Sequence, residues 1–255
     1  MDLPLARDAA PRIEYVPASA STNADLRLLA EDPLGWPHLS TLITRNQTAG
    51  RGRLDRVWTA PDGAALAISV VVRVSVEPAL RGWIPLIAGI AMADAVAAQL
   101  PARAVGVKWP NDVLVDERKI CGILAEATSD AIIVGAGVNT AMTAEQLPVP
   151  TATSFAVEGA AADEDRLLAD YLRGFDAHLA ALAEADDAVS SGLHAVATER
   201  ITTLGRTVRV SLPGERTLDG IARELDDEGR LVVRDGGVDH PISAGDVVHV
   251  RPLAD

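Results

Sequence analysis

Lysine is almost missing from this chain. Of 23 basic side chains only Lys108 and Lys119 carry an ammonium, and every other is arginine. Aromatics are scarce as well, at 3% of residues, so the core must pack on Val, Leu, Ile and Ala, and each of the four tryptophans stands out. The single cysteine, Cys121, excludes an internal disulfide framework and any multi-cysteine zinc site, and fits a reducing compartment. Long apolar runs are lacking: residues 64–72 and 84–96 are too short, or are interrupted by Pro85, Gly89 and Asp94, so no bilayer span is expected. Residues 1–17 are broken by Pro4, Pro11 and Pro17 and carry Asp2, Asp8 and Glu14, unlike an export signal, so a cytoplasmic location is expected. Positive charge is short too. A formal charge of −13 excludes a broad basic face for nucleic acid, because phosphate neutralisation supplies most of that affinity. Any site for a polyanion must be local.

What is present suits a globular protein. The 255 residues, 48% hydrophobic and 23% charged, can bury a proper core as one domain with a small appendage. Ser21-Thr22-Asn23 ahead of an apolar stripe at residues 24–31 reads as a capped helix start. Strands are predicted over residues 41–45, 64–74, 104–108 and 112–115, with residues 120–126 returning as a hairpin after the turn Asp116-Glu117-Arg118. A further strand, 131–134, runs into Gly135-Ala136-Gly137-Val138-Asn139. Residues 78–100 read as mostly helical, 163–184 as an amphipathic helix and 190–199 as a shorter one. From about residue 201 the texture changes to short alternating strands with glycine turns, at 207–212, 218–225, 230–234 and 246–251, which predicts a small barrel. The boundary falls near 197–204, giving units 1–200 and 201–255.

Two islands carry the chemistry. The first, Gly50-Arg51-Gly52-Arg53-Leu54-Asp55-Arg56-Val57-Trp58, packs glycines, three arginines and an indole into nine residues. Glycine lets the backbone approach an anion, the arginines offer forked donors, and Trp58 can stack on a base. The second, Lys108-Trp109-Pro110-Asn111-Asp112 leading to Lys119-Ile120-Cys121-Gly122, holds both ammonium groups. Lys119 lies near the hairpin turn, with Gly122 expected to make room on the opposite face of its strand and Lys108 on the neighbouring strand. Preorganised cations of this kind suit growing negative charge on a phosphate or carboxylate. Gly135 and Gly137 lack the third glycine of a dinucleotide fingerprint, and no GxxxxGK is present, which disfavours both common nucleotide folds. The five histidines show no metal-ligand spacing, and Cys121, in an apolar strand, reads as a core residue.

In this order and spacing the islands resemble the signatures of the biotin protein ligase family: a GRGRxGRxW loop at Gly50 to Trp58, KWPND at Lys108 to Asp112, KxxGILxE at Lys119 to Glu126, and GxGxN at Gly135 to Asn139. The resemblance implies an α+β catalytic core, a mixed sheet flanked by helices, closed by a small carboxy-terminal SH3-like β-barrel. It implies that biotin and MgATP form biotinyl-5′-AMP and pyrophosphate, after which a lysine of a biotin carboxyl carrier domain takes the acyl group. Lys119 and Arg53 match the catalytic positions. Ser21, Thr22, Asn23, Gln47, Gly50, Arg51, Gly52, Arg53 and Lys119 match biotin-binding positions. Arg53, Arg56, Trp58, Lys108, Asn111, Asp112, Lys119 and Asn139 match the adenylate side, Asp112 being a candidate for the divalent cation on ATP; the metal ligands stay open.

Asp55 departs from the family's glycine and puts a negative charge beside three arginines; Cys121 fills a position that is usually small. Only 20 residues precede Ser21, too few for the DNA-binding domain some members carry, so neither a DNA nor a membrane partner is expected. Two other readings stay open: a lipoate or octanoate protein ligase or transferase, and a noncatalytic ligand-binding regulator.

Overall fold

Residue alternation along three long strands decides the architecture. The computed structural model describes residues 1–53, 56–212, 216–243 and 245–249. Helix α1 (Pro4–Arg7) and strand β1 (Ile13–Tyr15) precede α2 (Thr22–Leu29), β2 (Thr41–Thr44), the short β3 (Gly50–Arg51) and β4 (Val57–Trp58), and β5 (Ala65–Val72). A 3-10 turn over Pro78–Gly82 leads into α3 (Trp83–Gln99), followed by β6 (Val105–Lys108), β7 (Asp112–Val115), β8 (Arg118–Ala127) and β9 (Ile132–Asn139). After α4 (Glu164–Ala185) and α5 (Leu193–Arg200) come β10 (Thr207–Leu212), β11 (Arg216–Leu225), β12 (Leu231–Asp235), β13 (Val238–Ile242) and β14 (Asp246–His249).

The first sheet runs β1-β2-β5-β9-β8-β7-β6, parallel at β1/β2 and antiparallel elsewhere. Successive side chains point to opposite faces. Leu66, Ile68 and Val70 of β5 and Val134, Ala136 and Val138 of β9 therefore enter one large apolar core with α3 and α4. The opposite face carries Val71 and Ile133, which pack with Leu26 of α2 in a smaller cluster, and beyond them a row of very small residues. The second sheet, order β13-β12-β11-β10-β14, is wholly antiparallel and fits the expected SH3-like unit.

Ser21 caps α2 as expected, accepting from the Ala24 N–H at 3.4 Å. Four departures from the sequence reading stand out. The glycine-rich segment 135–139 is not a loop after the strand but its second half, because β9 continues to Asn139. Strand β13 was not predicted: Pro241 and two polar residues mask it, and it survives at the sheet edge, where proline is tolerated. The short α1 and β1 were also unpredicted, and the last strand's expected end, Val250 and Arg251, lies outside the described residues. Finally, Pro78–Gln99 is long and apolar enough to cross a bilayer by composition, contrary to expectation, yet it is mostly buried as the central core helix.

Two tryptophans join the sheets. Trp83 Nε1 donates to Asp227 O at 2.8 Å and Trp109 Nε1 to Gly229 O at 3.2 Å, seating the β11–β12 turn on α3 and on the β6–β7 turn. Thr202 N donates to Val107 O at 2.8 Å, so the expected boundary near residue 201 lies inside a packed joint. There the imidazole of His249 lies 3.2 Å from Thr203 Oγ1. Burial first, then the charges of Arg206 and Lys108, push His249 down from 6.5 to about 4, against the pull of Glu117. The unfolded chain thus takes up a proton that the fold refuses as pH falls from 6.5 towards 4. This histidine should reduce stability across that window and leave it unchanged above. Urea midpoints of the wild type and His249→Gln should diverge below pH 6.5 and run parallel above it; parallel curves throughout would assign the acid sensitivity to other groups.

Candidate active site

Small residues on the α2-facing side of the sheet open a cavity of about 280 Å³. Its floor is laid by Ala67 of β5, Gly135 and Gly137 of β9 and Gly122 of β8. A Cβ on Gly135 would lie 2.4 Å from Asn23 Oδ1, and one on Gly137 would lie 2.7 Å from the Trp58 indole. Both glycines thus give up side-chain volume so that Asn23 and Trp58 can lie directly on the strand.

At the α2 end the polar groups form one network. Gln47 Oε1 accepts from Thr22 N at 2.8 Å and lies 3.0 Å from Thr22 Oγ1. Ser69 Oγ lies 2.6 Å from Asn23 Oδ1 and 2.8 Å from Thr22 Oγ1. Asn23 Nδ2 donates to Glu126 Oε2 at 2.8 Å, which sets the orientation of its amide. Ser69 escaped the site prediction because an isolated serine in an apolar strand carries no sequence signal; Glu126 closes the KxxGILxE signature, but nothing in that motif pointed it at Asn23.

At the other end stand the cations. Lys119 Nζ pairs with Asp112 Oδ1 at 2.6 Å. Regular alternation would put Lys119 and Gly122, three residues apart, on opposite faces, as the sequence suggested. The structure overturns this: a Cβ on Gly122 would lie 3.0 Å from Lys119 Nζ, on the same face. The cause is a β-bulge, since Val113 pairs with Cys121 but Leu114 with Lys119, leaving Ile120 as the extra residue that reverses the parity. The backbone of Lys119 is held on its other side by residues 151–153: its N–H donates to Thr151 O, and its carbonyl accepts from Thr153 N, each at 2.8 Å.

The first island folds as a hairpin rather than an open loop, with Gly50 opposite Trp58 and Arg51 opposite Val57. Arg53 spans the two islands and the two sheets, donating to Asn111 Oδ1 at 3.0 Å and to Gly245 O at 3.1 Å. Asn111 in turn donates to Ile123 O at 2.9 Å. Asp55, the departure noted in this segment, lies outside the described residues.

Of the site residues named from sequence, Ser21, Thr22, Asn23, Gln47, Arg51, Gly52, Arg53, Arg56, Trp58, Asn111, Asp112, Lys119 and Asn139 all line this cavity. Gly50 and Lys108 do not. Gly50 is buried under Gln47 and Trp58, where a Cβ would meet Trp58 O at 2.6 Å. Lys108 pairs with Asp112 in register, but it sits on the edge strand β6, two strands from β8 and about 10 Å away at ordinary strand spacing, and its charge acts on His249. The lining also includes Met142, Pro148, Val149 and Ala152, whose residue types announce no chemistry. Cys121 lines the floor too, and burial pushes its thiol up to about 12, so it is a neutral packing group near pH 7.

A cavity with a neutral polar end, a cationic end and an indole, on a mixed sheet followed by a small antiparallel sheet, is the arrangement of an acyl-activating protein ligase. Sequence comparison agrees: residues 16–139 match the Biotin/lipoate A/B protein ligase family and residues 203–250 the Biotin protein ligase C terminal domain. The chain is 40% identical over 244 residues to the biotin–acetyl-CoA-carboxylase ligase of Mycobacterium tuberculosis, covering 94% of this chain and 90% of that protein. It is 33% identical to the bifunctional ligase/repressor BirA of Escherichia coli, spanning 64% of that protein's length. Among solved structures, the biotin protein ligase of Aquifex aeolicus in complex with biotin and ATP superposes with a TM-score of 0.75 over 94% of this chain and 99% of that one, at 23% identity, a likeness of fold. The Leishmania major enzyme in complex with biotinyl-5-AMP gives 0.62 over 95% and 99%, at 25% identity. This chain belongs to the biotin protein ligase family.

The floor makes a sharp demand on residue size. In Gly135→Ala the new methyl must displace the Asn23 amide, which is tied to Ser69 and Glu126. The variant should stay folded and lose at least tenfold in biotin affinity, about 1.4 kcal/mol, by calorimetry. Unchanged affinity would show that Asn23 is free to move.

Proposed function

We propose that this protein is an ATP-dependent biotin protein ligase. A biotin carboxylate oxygen attacks the α-phosphorus of ATP, pyrophosphate leaves, and biotinyl-5′-AMP forms. The ε-amine of a carrier-domain lysine then attacks the acyl carbon, AMP leaves, and an amide remains. The observation that carries this reading is the convergence on one cavity of Arg53, the Thr22–Asn23–Gln47 network and Lys119, which lies about 65 to 100 residues further along the chain.

The polar end suits the ureido group, a planar donor and acceptor, because a site built of paired amides and hydroxyls rejects a ligand that leaves them unmatched. A dithiolane ring or an alkyl tail offers no such partners, which favours biotin over lipoate or octanoate. At the cationic end, Lys119, Arg51 and Arg53 face the place where carboxylate and α-phosphate meet, and fixed cations there stabilise the charge that grows in the transition state. Trp58, Arg56, Asn111 and Asn139 are assigned to the adenylate side. Asp112 is the one carboxylate among the described residues that line this cavity. Among the described residues no cluster of three or more His, Cys, Asp or Glu could cage a metal, which fits Mg²⁺ carried in on the phosphates with one protein carboxylate nearby. When bound, the ion would neutralise phosphate charge. Units 1–200 and 201–255 serve as catalytic core and closing domain, the acceptor is a biotin carboxyl carrier domain, and the need for ATP supports a cytoplasmic location.

Transfer of labelled biotin onto a purified carrier domain, with labelled lipoate in parallel, decides the substrate: ATP-dependent labelling with biotin alone is expected, and labelling by lipoate would overturn the assignment. Lys119→Ala should slow single-turnover adenylate formation by about 100-fold, the scale of losing one preorganised charge donor, while biotin affinity falls far less. Arg53→Ala should shorten the lifetime of the bound adenylate, measured by hydrolysis without acceptor, because water exclusion depends on the hairpin staying down. An unchanged lifetime would count against closure by this residue.

A further inference from the structure

We propose that Glu158 is a positioning residue for the activation step, acting through Thr153 on both Lys119 and Asn139. This rests on the ligase reading above. Glu158 sits in the turn before α4, outside the cavity, yet its side chain is 0% exposed. A carboxylate is seldom taken so fully from water unless its partners hold it. Oε1 accepts from the Thr153 hydroxyl at 2.5 Å and from Arg118 Nη2 at 2.6 Å. Oε2 lies 3.1 Å from Arg103 Nε, an ion-pair contact without the alignment of a hydrogen bond.

Thr153 passes this anchorage to the site. Its N–H donates to the Lys119 carbonyl at 2.8 Å, and its own carbonyl accepts from Asn139 Nδ2 at 2.9 Å. Arg118, the other strong partner of Glu158, is the residue before Lys119. The carboxylate thus fixes the start of β8 from two directions, at the point where the bulge leaves the ladder irregular. A bulge has no regular pairing of its own to hold the direction of its side chains. Without the brace, the Lys119 ammonium would sample a wider arc, and a displacement of about 1 Å is enough to cost two orders of magnitude in rate.

The test uses the full chain and biotin-dependent exchange of pyrophosphate into ATP, which reads adenylation alone. Thr153→Val keeps the shape and removes the hydroxyl; Glu158→Gln keeps the shape and removes the charge. Each should lower kcat at least tenfold with the KM for biotin within twofold of wild type. The double variant should be no slower than the slower single, because both break one chain of contacts, and Thr153→Ser should restore most of the rate. Values of kcat within twofold of wild type would overturn the proposal. So would equal losses in kcat and biotin affinity, or a defect confined to the unfolding temperature or to folding itself, which would assign Glu158 to the fold alone. If the wild type catalyses no biotin-dependent exchange, the ligase reading itself fails, a result separate from these.

Discussion

A strand surface stripped of side-chain volume is the constraint on which the rest depends. Along β5, β9 and β8 one face keeps Leu, Ile and Val for the core, while the other, past Val71 and Ile133, is pared at the cavity to Ala67, Gly135, Gly137 and Gly122. Glycine inside a strand costs packing and chain entropy, and the loss is offset by laying the Asn23 amide and the Trp58 indole directly on the backbone. The site is therefore built on a floor of bare backbone, with side chains of α2, the first island and β8 as its walls. In the function proposed above, substrate specificity is assigned to the floor and α2, and the chemistry to the walls and the strand end bearing Lys119.

Electrostatics follow from the same layout. A chain of net charge −13 would repel a nucleotide unless positive charge were concentrated in one place. Arg51, Arg53, Arg56 and Lys119 line one cavity where, among the described residues, the single carboxylate is Asp112. Asp112 already pairs with Lys119, so the ammonium is held in position before substrate arrives. Preorganisation of that kind is what lets a fixed charge assist the transition state without reorganising during the reaction.

The carboxy-terminal sheet is part of this device. Trp83 of α3 and Trp109 of the β6–β7 turn hold its β11–β12 turn, and Gly245 offers a carbonyl to Arg53. The first island is thereby tied through Arg53 to the second island and to the segment just before β14. Three of the four tryptophans hold structure: these two, and Trp36, which packs beneath α2 with Arg12 over its ring at 4.0 Å. Trp58 alone lines the site.

Much of this was legible in the sequence. The Ser21 cap, the apolar run of β5, the amphipathic α4 and the β7–β8 hairpin all follow from local periodicity, and the two basic islands carry residue types whose chemistry is plain. Periodicity describes a chain against itself, however, and says nothing about its partners. A single bulge at Ile120 reversed the face on which Gly122 meets Lys119, Lys108 proved to lie beyond the cavity, and strand β13 was hidden by its proline. Glu158 and Thr153 offered no motif at all, and the reason Gly135 and Gly137 are glycines became visible only with Asn23 and Trp58 lying on them. The sequence by itself determined the element types and the kind of chemistry, because these depend on neighbours a few residues away. Only the tertiary structure decided which side chains meet, because that depends on register and close approach between segments as far apart as Arg53 and Gly245, 192 residues along the chain.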